Sequence, residues 1–361
     1  MIIVMQNRPI RAIIKRDALR HNISAIKKLS GGSKVFGVVK ADGYGHGLKR
    51  IYHGLSALDG LAVIEMEAAS YLRAQGDNRP ILLLEGVFSP QEMRDAIRLN
   101  LDLVVHSFRQ IELLRQIDLG KPLNVFMKVN SGMNRLGFPV DDVAQCYRAL
   151  KDCAAVKSIT TMTHYADADN ERGVSWQDAK FSQAVDSLGI PTSKSNSAAL
   201  IRFGSNAQGW IRPGIMLYGV SPVESLSALS MDLMPVMTLK SEIISVQNLN
   251  AGDRVGYGGT YTAKCDLRIG IVAGGYGDGY PRAMRNGSPV LVEGVRVPLV
   301  GRVSMDSLAV DITKVPAANV GSSAVLWGEG LPVEEVAEHA GTISYELLTR
   351  VTRRVPFVCF D

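Results

Sequence analysis

Residues 35–47 read VFGVVKADGYGHG, and the first part of this stretch indicates how the chain folds. An uninterrupted apolar run extends from Val35 to Val39 and ends directly at Lys40. Short continuous apolar runs are typical of strands that are buried on both faces of a parallel sheet. We therefore predict a buried strand over 35–39 with Lys40 at its carboxyl end, where barrel enzymes build their active sites.

Similar apolar runs recur along the first two-thirds of the chain and alternate with amphipathic stretches. Ser89 and Glu92 form a capping box with Pro90 at the first helical position, which predicts a helix start. The eight strand candidates are 35–39, 61–64, 81–84, 103–105, 124–129, 159–163, 192–195 and 214–218, and 192–195 is the weakest. Strands that alternate with helices in this way predict an α/β fold with an N-terminal (β/α)8 barrel.

The pattern changes after about residue 230. Residues 236–249 alternate in places with period two, as expected for a strand with one buried face. The later apolar stretches are short and separated by glycine-rich turns, and Glu293-Gly294 suits a hairpin turn. We predict a mostly β C-terminal domain and divide the chain into 1–230 and 231–361.

Composition limits the classes of function. The chain has 361 residues, 46% of them hydrophobic, which excludes an extended disordered protein. Its formal charge of +5 is spread without a basic stripe, so we expect no nucleic-acid partner. The four cysteines have no zinc or disulfide spacing, and residues 167–172 place Arg172 where a calcium loop needs glycine, so we expect no metal. With neither a signal segment nor a bilayer-length apolar run, we expect a cytoplasmic protein without a membrane partner.

Lys40 is the first candidate for chemistry. Beside buried apolar residues the charged form of an amine is disfavoured, so its pKa falls. A Schiff base with an aldehyde cofactor requires such a neutral amine. A lysine that ends a strand and extends its amine to water has the same local sequence, and the strand alone favours this simpler interpretation.

The residues after the strand change this balance. Lys40 opens the string KADGYGHG, which resembles the cofactor-lysine signature K-A-x-x-Y-G-H-G of alanine racemases, although Asp42 and Gly43 stand where that family usually has Asn and Ala. Further segments resemble the other motifs of the family, in order and over both predicted domains. These segments are 128–137, 163–166, 196–199, 212–215, 255–259, 275–280, 303–306 and 344–347.

The resemblance implies an isomerase that interconverts L- and D-alanine with pyridoxal 5'-phosphate bound to Lys40 as an aldimine. Racemisation needs a base on each face of the α-carbon. By resemblance, Lys40 acts on the D-alanine proton and Tyr257 on the L-alanine proton. In the family the domain that carries this tyrosine comes from the neighbouring subunit, so the resemblance also implies a homodimer with shared active sites.

The resemblance also assigns roles to single side chains. An arginine cannot accept a proton, so Arg212 beside the pyridine nitrogen leaves that nitrogen unprotonated and disfavours transamination. Arg135 binds the substrate carboxylate or a cofactor oxygen, and Lys128, carbamylated in many family members, supports it. His164 bonds to the tyrosine base. The residues predicted to bind the cofactor are Lys40, Tyr44, Ser197, Arg212, Gly214, Ile215 and Tyr345. Those predicted to bind the substrate are Arg135 and Met305. The residues predicted to support these groups are Lys128, His164, Asp306 and Tyr276.

Two alternative classes fit the sequence less well, and a third possibility stays open. A barrel-fold decarboxylase of ornithine or diaminopimelate shares the lysine, but it pairs the ring nitrogen with an acidic group, and Arg212 and Tyr257 argue against it. A barrel that only binds and buffers the cofactor lacks a second domain of this size. A racemase of broader specificity keeps every motif, although Tyr257, Tyr345 and Met305 narrow the opening by resemblance and favour alanine. The sequence does not distinguish synthesis of D-alanine for the cell wall from its degradation.

Overall fold

The structure, a computed structural model, describes residues 8–116, 121–204 and 209–361. Short strands dominate the first two-thirds of these residues. They are β1 (Arg11–Lys15), β2 (Lys34–Val38), β3 (Gly60–Val63), β4 (Ile81–Leu83), β5 (Asp102–Val105), β6 (Leu123–Asn130), β7 (Phe138–Pro139), β8 (Val156–Met162), β9 (Thr192–Ser193) and β10 (Trp210–Ile211).

Eight of these strands form a parallel barrel, which confirms the predicted fold. Backbone hydrogen bonds link them in the order β10, β2, β3, β4, β5, β6, β8, β9, and a parallel bridge between Thr192 and Gly209 brings β9 to the start of β10. The ring of Phe36 stacks on Trp210 with 3.8 Å between centroids and meets Phe126 edge-on at 5.7 Å. Aromatic side chains from β2, β6 and β10 therefore pack together.

Helices alternate with the barrel strands, as the sequence pattern predicts. Ser89 Oγ accepts the backbone N–H of Glu92 at 3.2 Å, so the predicted cap is present. Among the described helices, none is long and apolar enough to cross a bilayer. The helices are α1 (Arg16–Leu29), α2 (Lys40–Tyr44), α3 (Leu48–Ile51), α4 (Met66–Ala74), α5 (Pro90–Arg98), α6 (Phe108–Gln116), α7 (Val143–Lys151), α8 (Ser175–Val185), α9 (Ser197–Phe203), α10 (Val333–Ala340) and α11 (Ser344–Thr349).

The eighth barrel strand was predicted in the wrong place. Residues 214–218 do not form a strand; Ile215–Tyr218 is a short 3-10 helix, and the eighth strand is β10, just before it. All four residues of this helix are buried. A short buried helix and a buried strand give the same uninterrupted apolar run, so periodicity cannot tell them apart.

The C-terminal third is mostly β, as predicted. Its central sheet has the order β16, β15, β18, β11, β1, β19, and β14 and β17 extend it from β11. Glu293 and Gly294 form the predicted hairpin turn between β15 and β16, both with positive φ. The strands are β11 (Met237–Leu249), β12 (Arg254–Val255), β13 (Tyr261–Thr262), β14 (Leu267–Ala273), β15 (Pro289–Val292), β16 (Val295–Pro298), β17 (Ser307–Asp311), β18 (Ser323–Trp327) and β19 (Phe357–Phe360).

Strand β1 lies in this second sheet and not in the barrel. It pairs antiparallel with β11, where Ile13 faces Thr238, and parallel with β19, where Ile13 faces Val358. The chain therefore enters the barrel from the β sheet and returns to that sheet after it. The division of the chain into domains 1–230 and 231–361 stays a prediction. Strand β1 lies within residues 1–230 but pairs with strands of the C-terminal sheet.

Gly45 lies where the end of the barrel strand β2 meets helix α11. Its φ is +79°, and a Cβ on it would lie 2.1 Å from the carbonyl oxygen of Leu348. Gly76 has almost the same φ, +78°, but no atom of the described residues lies within 4 Å of its Cβ position. The two glycines therefore separate backbone strain from steric overlap.

We expect Gly45→Ala to lower the free energy of unfolding by about 2–4 kcal/mol, because it adds overlap with α11 to the backbone strain. Gly76→Ala, the matched control, should cost only about 1 kcal/mol. Urea unfolding of both variants measures the difference. Equal losses would show that the close approach of α11 contributes nothing.

Candidate active site

A cavity of about 750 Å³ opens at the carboxyl ends of the barrel strands, within the size range of small-molecule sites. Most of the site residues predicted from the sequence lie together around this cavity. Those that line the cavity are Lys40, Tyr44, Lys128, Arg135, His164, Ser197, Arg212, Gly214, Ile215 and Tyr345. Their individual roles remain predictions, but their common location is a finding.

Lys40 begins an unusual turn. Although α2 is assigned as a helix, Ala41, Asp42 and Gly43 have φ of 52°, 51° and 64°, which is left-handed backbone. The turn redirects the chain at the end of β2 and leaves Lys40 against the cavity. Burial lowers the pKa of the Lys40 amine, and the charge of Arg135 lowers it further. A larger fraction of this amine is therefore neutral than for a lysine in water.

Tyr44 ends the same turn, and its hydroxyl lies against Gly214, which follows the neighbouring strand β10. A Cβ on Gly214 would lie 2.3 Å from the Tyr44 hydroxyl oxygen, so only glycine leaves room there. Ser197 Oγ accepts the backbone N–H of Gly214 at 2.9 Å. The Tyr345 ring lies 5.9 Å from that of Tyr44 between centroids, and burial raises the pKa of the Tyr345 hydroxyl to about 12. These three hydroxyls stay protonated and can donate to an anion.

Arg212 is 5% exposed, and its guanidinium is anchored on the ends of two strands. One terminal nitrogen donates to the Thr163 carbonyl at 2.6 Å and to the Lys194 carbonyl at 3.2 Å. The other donates to Ser193 Oγ at 2.5 Å. Burial lowers the pKa of Arg212 to about 10, which still leaves the group charged near neutral pH.

Basic groups are concentrated around this arginine. Lys128 is 9% exposed, and burial together with the charges of Arg212 and Arg135 lowers its pKa to about 8. Burial and the same cations hold the pKa of His164 well below its usual range, so the imidazole is neutral. A cavity with these surroundings favours an anionic ligand.

The donor set fits pyridoxal phosphate. Three neutral hydroxyls near the side-chain-free Gly214 suit a phosphate group, a buried guanidinium suits a ring nitrogen with a free lone pair, and an amine of lowered pKa suits an aldehyde. The absence of a side chain at Gly214 is part of this fit, because it lets the Tyr44 hydroxyl lie close to the backbone at the phosphate end.

Four predicted residues do not line the cavity: Tyr257, Tyr276, Met305 and Asp306. The side chains of Tyr257 and Met305 are 69% and 50% exposed. Tyr276 and Met305 lie on adjacent loops, because the backbone N–H of Tyr276 donates to the Ser304 carbonyl at 3.1 Å. The Asp306 carboxylate pairs with Arg354 at 2.5 Å. One chain by itself therefore does not place its predicted second base in its own cavity.

Two acidic residues next to Lys40 were not predicted as site residues from the sequence. Glu85 lines the cavity, and a carboxylate oxygen of Glu65 accepts the backbone N–H of Ala41 at 3.3 Å. Both charges raise the pKa of Lys40 and thereby oppose the effect of burial. Each glutamate follows a buried strand, β3 or β4, by two residues. Their position just after the carboxyl ends of neighbouring strands could have predicted both glutamates as site residues.

Fold and site together define a barrel enzyme that carries a desolvated lysine, a buried arginine and an appended β domain. Comparison with known proteins identifies the family. The domain described as alanine racemase, N-terminal domain, matches residues 14–222, and the one described as alanine racemase, C-terminal domain, matches residues 236–359. The chain belongs to the alanine racemase family, a family of isomerases.

Individual relatives agree with this assignment. An alanine racemase of Thiobacillus denitrificans is 49% identical over 349 residues, covering 97% of this chain and 95% of the relative. One of Nitrosomonas eutropha is 46% identical over 357 residues, covering 97% and 99%. The crystal structure of biosynthetic alanine racemase from Pseudomonas aeruginosa superposes with a TM-score of 0.95 at 42% identity, covering 98% and 100%. These findings confirm the resemblance and do not favour the broader-specificity alternative.

The lowered pKa of Lys128 predicts how stability depends on pH. The pKa of Lys128 is about 8 in the folded protein, against 10.5 for an ordinary lysine, which we take for the unfolded chain. Between pH 8 and 10.5 the unfolded chain therefore binds more protons than the folded protein, so the free energy of unfolding rises with pH in this range. In carbonate-free apoprotein, the unfolding free energy of wild type should rise by about 3 kcal/mol relative to Lys128→Met from pH 8 to 10.5. Exposed Lys28→Met should show no such trend. Parallel pH profiles for wild type and Lys128→Met would contradict the buried amine.

Proposed function

We propose that the chain interconverts L- and D-alanine with pyridoxal 5'-phosphate bound at Lys40. The observation that carries the proposal is that Lys40, whose pKa is lowered, and the buried Arg212 line the same cavity. Membership of the alanine racemase family supports it. A location in the cytoplasm stays a prediction.

Different residues of the cavity would bind the phosphate and the ring nitrogen of the cofactor. When bound, pyridoxal phosphate withdraws electrons from the α-carbon of an amino acid and makes its proton acidic. The hydroxyls of Tyr44, Ser197 and Tyr345, with the backbone at Gly214 and Ile215, would bind the phosphate. Arg212 would donate to the ring nitrogen without giving it a proton, since a guanidinium at neutral pH has no proton-accepting lone pair. This limits electron withdrawal to what removal and return of one proton needs.

Proton transfer requires one group on each face of the α-carbon. We assign Lys40 Nζ to the proton of D-alanine and the Tyr257 hydroxyl to that of L-alanine. Arg135 would bind the substrate carboxylate through its planar guanidinium, and Met305 would limit the space for the side chain. His164 is neutral and so can accept a hydrogen bond from a tyrosine hydroxyl.

A second copy of the chain would complete the site. Tyr257, Tyr276 and Met305 are exposed and lie outside the cavity of their own chain, although the chemistry needs Tyr257 at the substrate. Exposed large apolar side chains on adjacent loops are typical of surfaces that a partner covers. We therefore propose a two-fold homodimer in which each copy supplies these residues to the other.

The linkage to Lys40 is directly testable. Apoprotein incubated with pyridoxal phosphate and then reduced with borohydride should carry the label on Lys40, because Lys40 opens the segment that resembles the cofactor-lysine signature of the family. Peptide mapping by mass spectrometry identifies the site. Lys40→Ala should remain unlabelled in the cavity, while Lys128→Met, the matched control, should label normally. A label on Lys128 in wild type would overturn the assignment.

The shared site is tested by mixing two inactive variants, Lys40→Ala and Tyr257→Phe. In a mixed dimer one site is whole and the other carries both lesions. With random pairing about half of the dimers are mixed, so roughly a quarter of wild-type activity should return. Mixed dimers are isolated with two different affinity tags. If isolated mixed dimers are no more active than either variant, the two residues do not act across the interface.

A further inference from the structure

The left-handed turn after Lys40 is strained. Ala41, Asp42 and Tyr44 have φ of 52°, 51° and 52°, and Gly43 between them has 64°. Left-handed backbone costs a residue with a side chain about 1–2 kcal/mol, so three such residues in one turn need support from their surroundings. Lys40 and Tyr44 are the two ends of this turn, so contacts that stabilise the turn also fix the positions of these two residues.

His46 supplies that support. Its side chain is fully buried, and its Nδ1 lies 3.0 Å from both the Gly43 carbonyl and the Tyr44 carbonyl. Two carbonyl neighbours require a hydrogen on Nδ1, so the ring donates to both. Burial lowers the pKa of His46 to about 4, and the imidazole is neutral near pH 7. The hydrogen bonds of its side chain thus go to the strained turn.

The other nitrogen of His46 shows that packing alone does not account for a histidine here. Nε2 is buried and has no hydrogen-bond partner among the described residues. An unpaired buried polar atom costs about 1–3 kcal/mol, which an apolar side chain of similar size would avoid. The two bonds from Nδ1 offset that cost, and a phenyl ring in the same place could not make them.

The imidazole ring also reaches Tyr44 by stacking. Its centroid lies 4.5 Å from that of Tyr218, whose ring stacks in turn on Tyr44 at 4.8 Å. The Tyr218 hydroxyl donates to the Val38 carbonyl at 3.1 Å, which fixes the middle ring on strand β2. The Tyr44 ring is thereby held with its hydroxyl against Gly214.

We propose that His46 is a positioning residue for the phosphate end of the cofactor site: its Nδ1–H fixes the left-handed turn so that the Tyr44 hydroxyl is in place before the phosphate binds. The inference rests on the proposed function, because it assumes that pyridoxal phosphate is the ligand. It adds a residue that itself does not line the cavity.

The test compares two ligands that differ only in the phosphate. Apoprotein is titrated with pyridoxal phosphate and with pyridoxal, and the dissociation constants are read from absorbance. His46→Phe keeps a ring and removes the donor. It should weaken pyridoxal phosphate about tenfold, as expected for one lost hydrogen bond, and change pyridoxal less than about twofold. His46→Asn keeps a donor near the Nδ1 position and should bind pyridoxal phosphate within about threefold of wild type. Exposed His53→Phe is the control and should match wild type.

A double-mutant cycle with Tyr44→Phe completes the test. If His46 acts through the Tyr44 hydroxyl, His46→Phe should cause no further loss of phosphate-dependent affinity once that hydroxyl is gone. Additive losses, an equal loss for both ligands, or an Asn variant as weak as the Phe variant would each overturn the positioning role. Should His46→Phe not fold, the Asn variant and its cycle with Tyr44→Phe decide the question. A wild-type apoprotein that binds neither ligand would instead reject the proposed function.

Discussion

The guanidinium of Arg212 joins the ends of β8 and β9 to the residue that follows β10, and the cavity depends on this junction. β9 and β10 are two residues long, so their backbone ladders are the shortest in the barrel. The side chain donates to Thr163 and Ser193, and the backbone N–H of Arg212 donates to Ser195 at 2.9 Å. Without the guanidinium, the buried acceptors on Thr163 and Ser193, at the ends of β8 and β9, would lose this donor, at about 1–3 kcal/mol each. The same anchored group gives the cavity a fixed positive charge.

At the end of β2, the strand next to β10, the cavity depends on a strained turn that two parts of the chain stabilise together. His46 donates to the carbonyls within the turn, and Gly45 lets helix α11 approach it closely. Because α11 carries Tyr345, this contact places a residue from the C-terminal third beside Tyr44. Strained backbone at functional sites persists where the surroundings determine it in this way.

Much of the fold could be predicted because buried parallel strands leave short apolar runs in the sequence. The run before Lys40 and the weak candidate near 192 both became barrel strands. The prediction failed at 214–218, where a 3-10 helix is as buried as a strand would be. It also failed to place β1 in the C-terminal sheet, since the pairing of Ile13 with Thr238 joins residues far apart in the chain. Ten of the fourteen predicted site residues line one cavity, while Tyr257, Tyr276, Met305 and Asp306 do not.

The sequence by itself determined the family, because the family motifs occur in an order and with a spacing that can be read directly, and it predicted which residues carry the chemistry. It also determined that Lys40 ends a buried strand. Tertiary structure alone decided the protonation of the site, because the pKa values of Lys128 and His164 depend on burial and on cations contributed by distant segments. It alone revealed that His46 turns its donor back onto the turn and that Tyr257 lies outside the cavity of its own chain. These pKa values, hydrogen bonds and positions depend on which parts of the chain meet in space, and the local sequence does not show which distant segments come into contact.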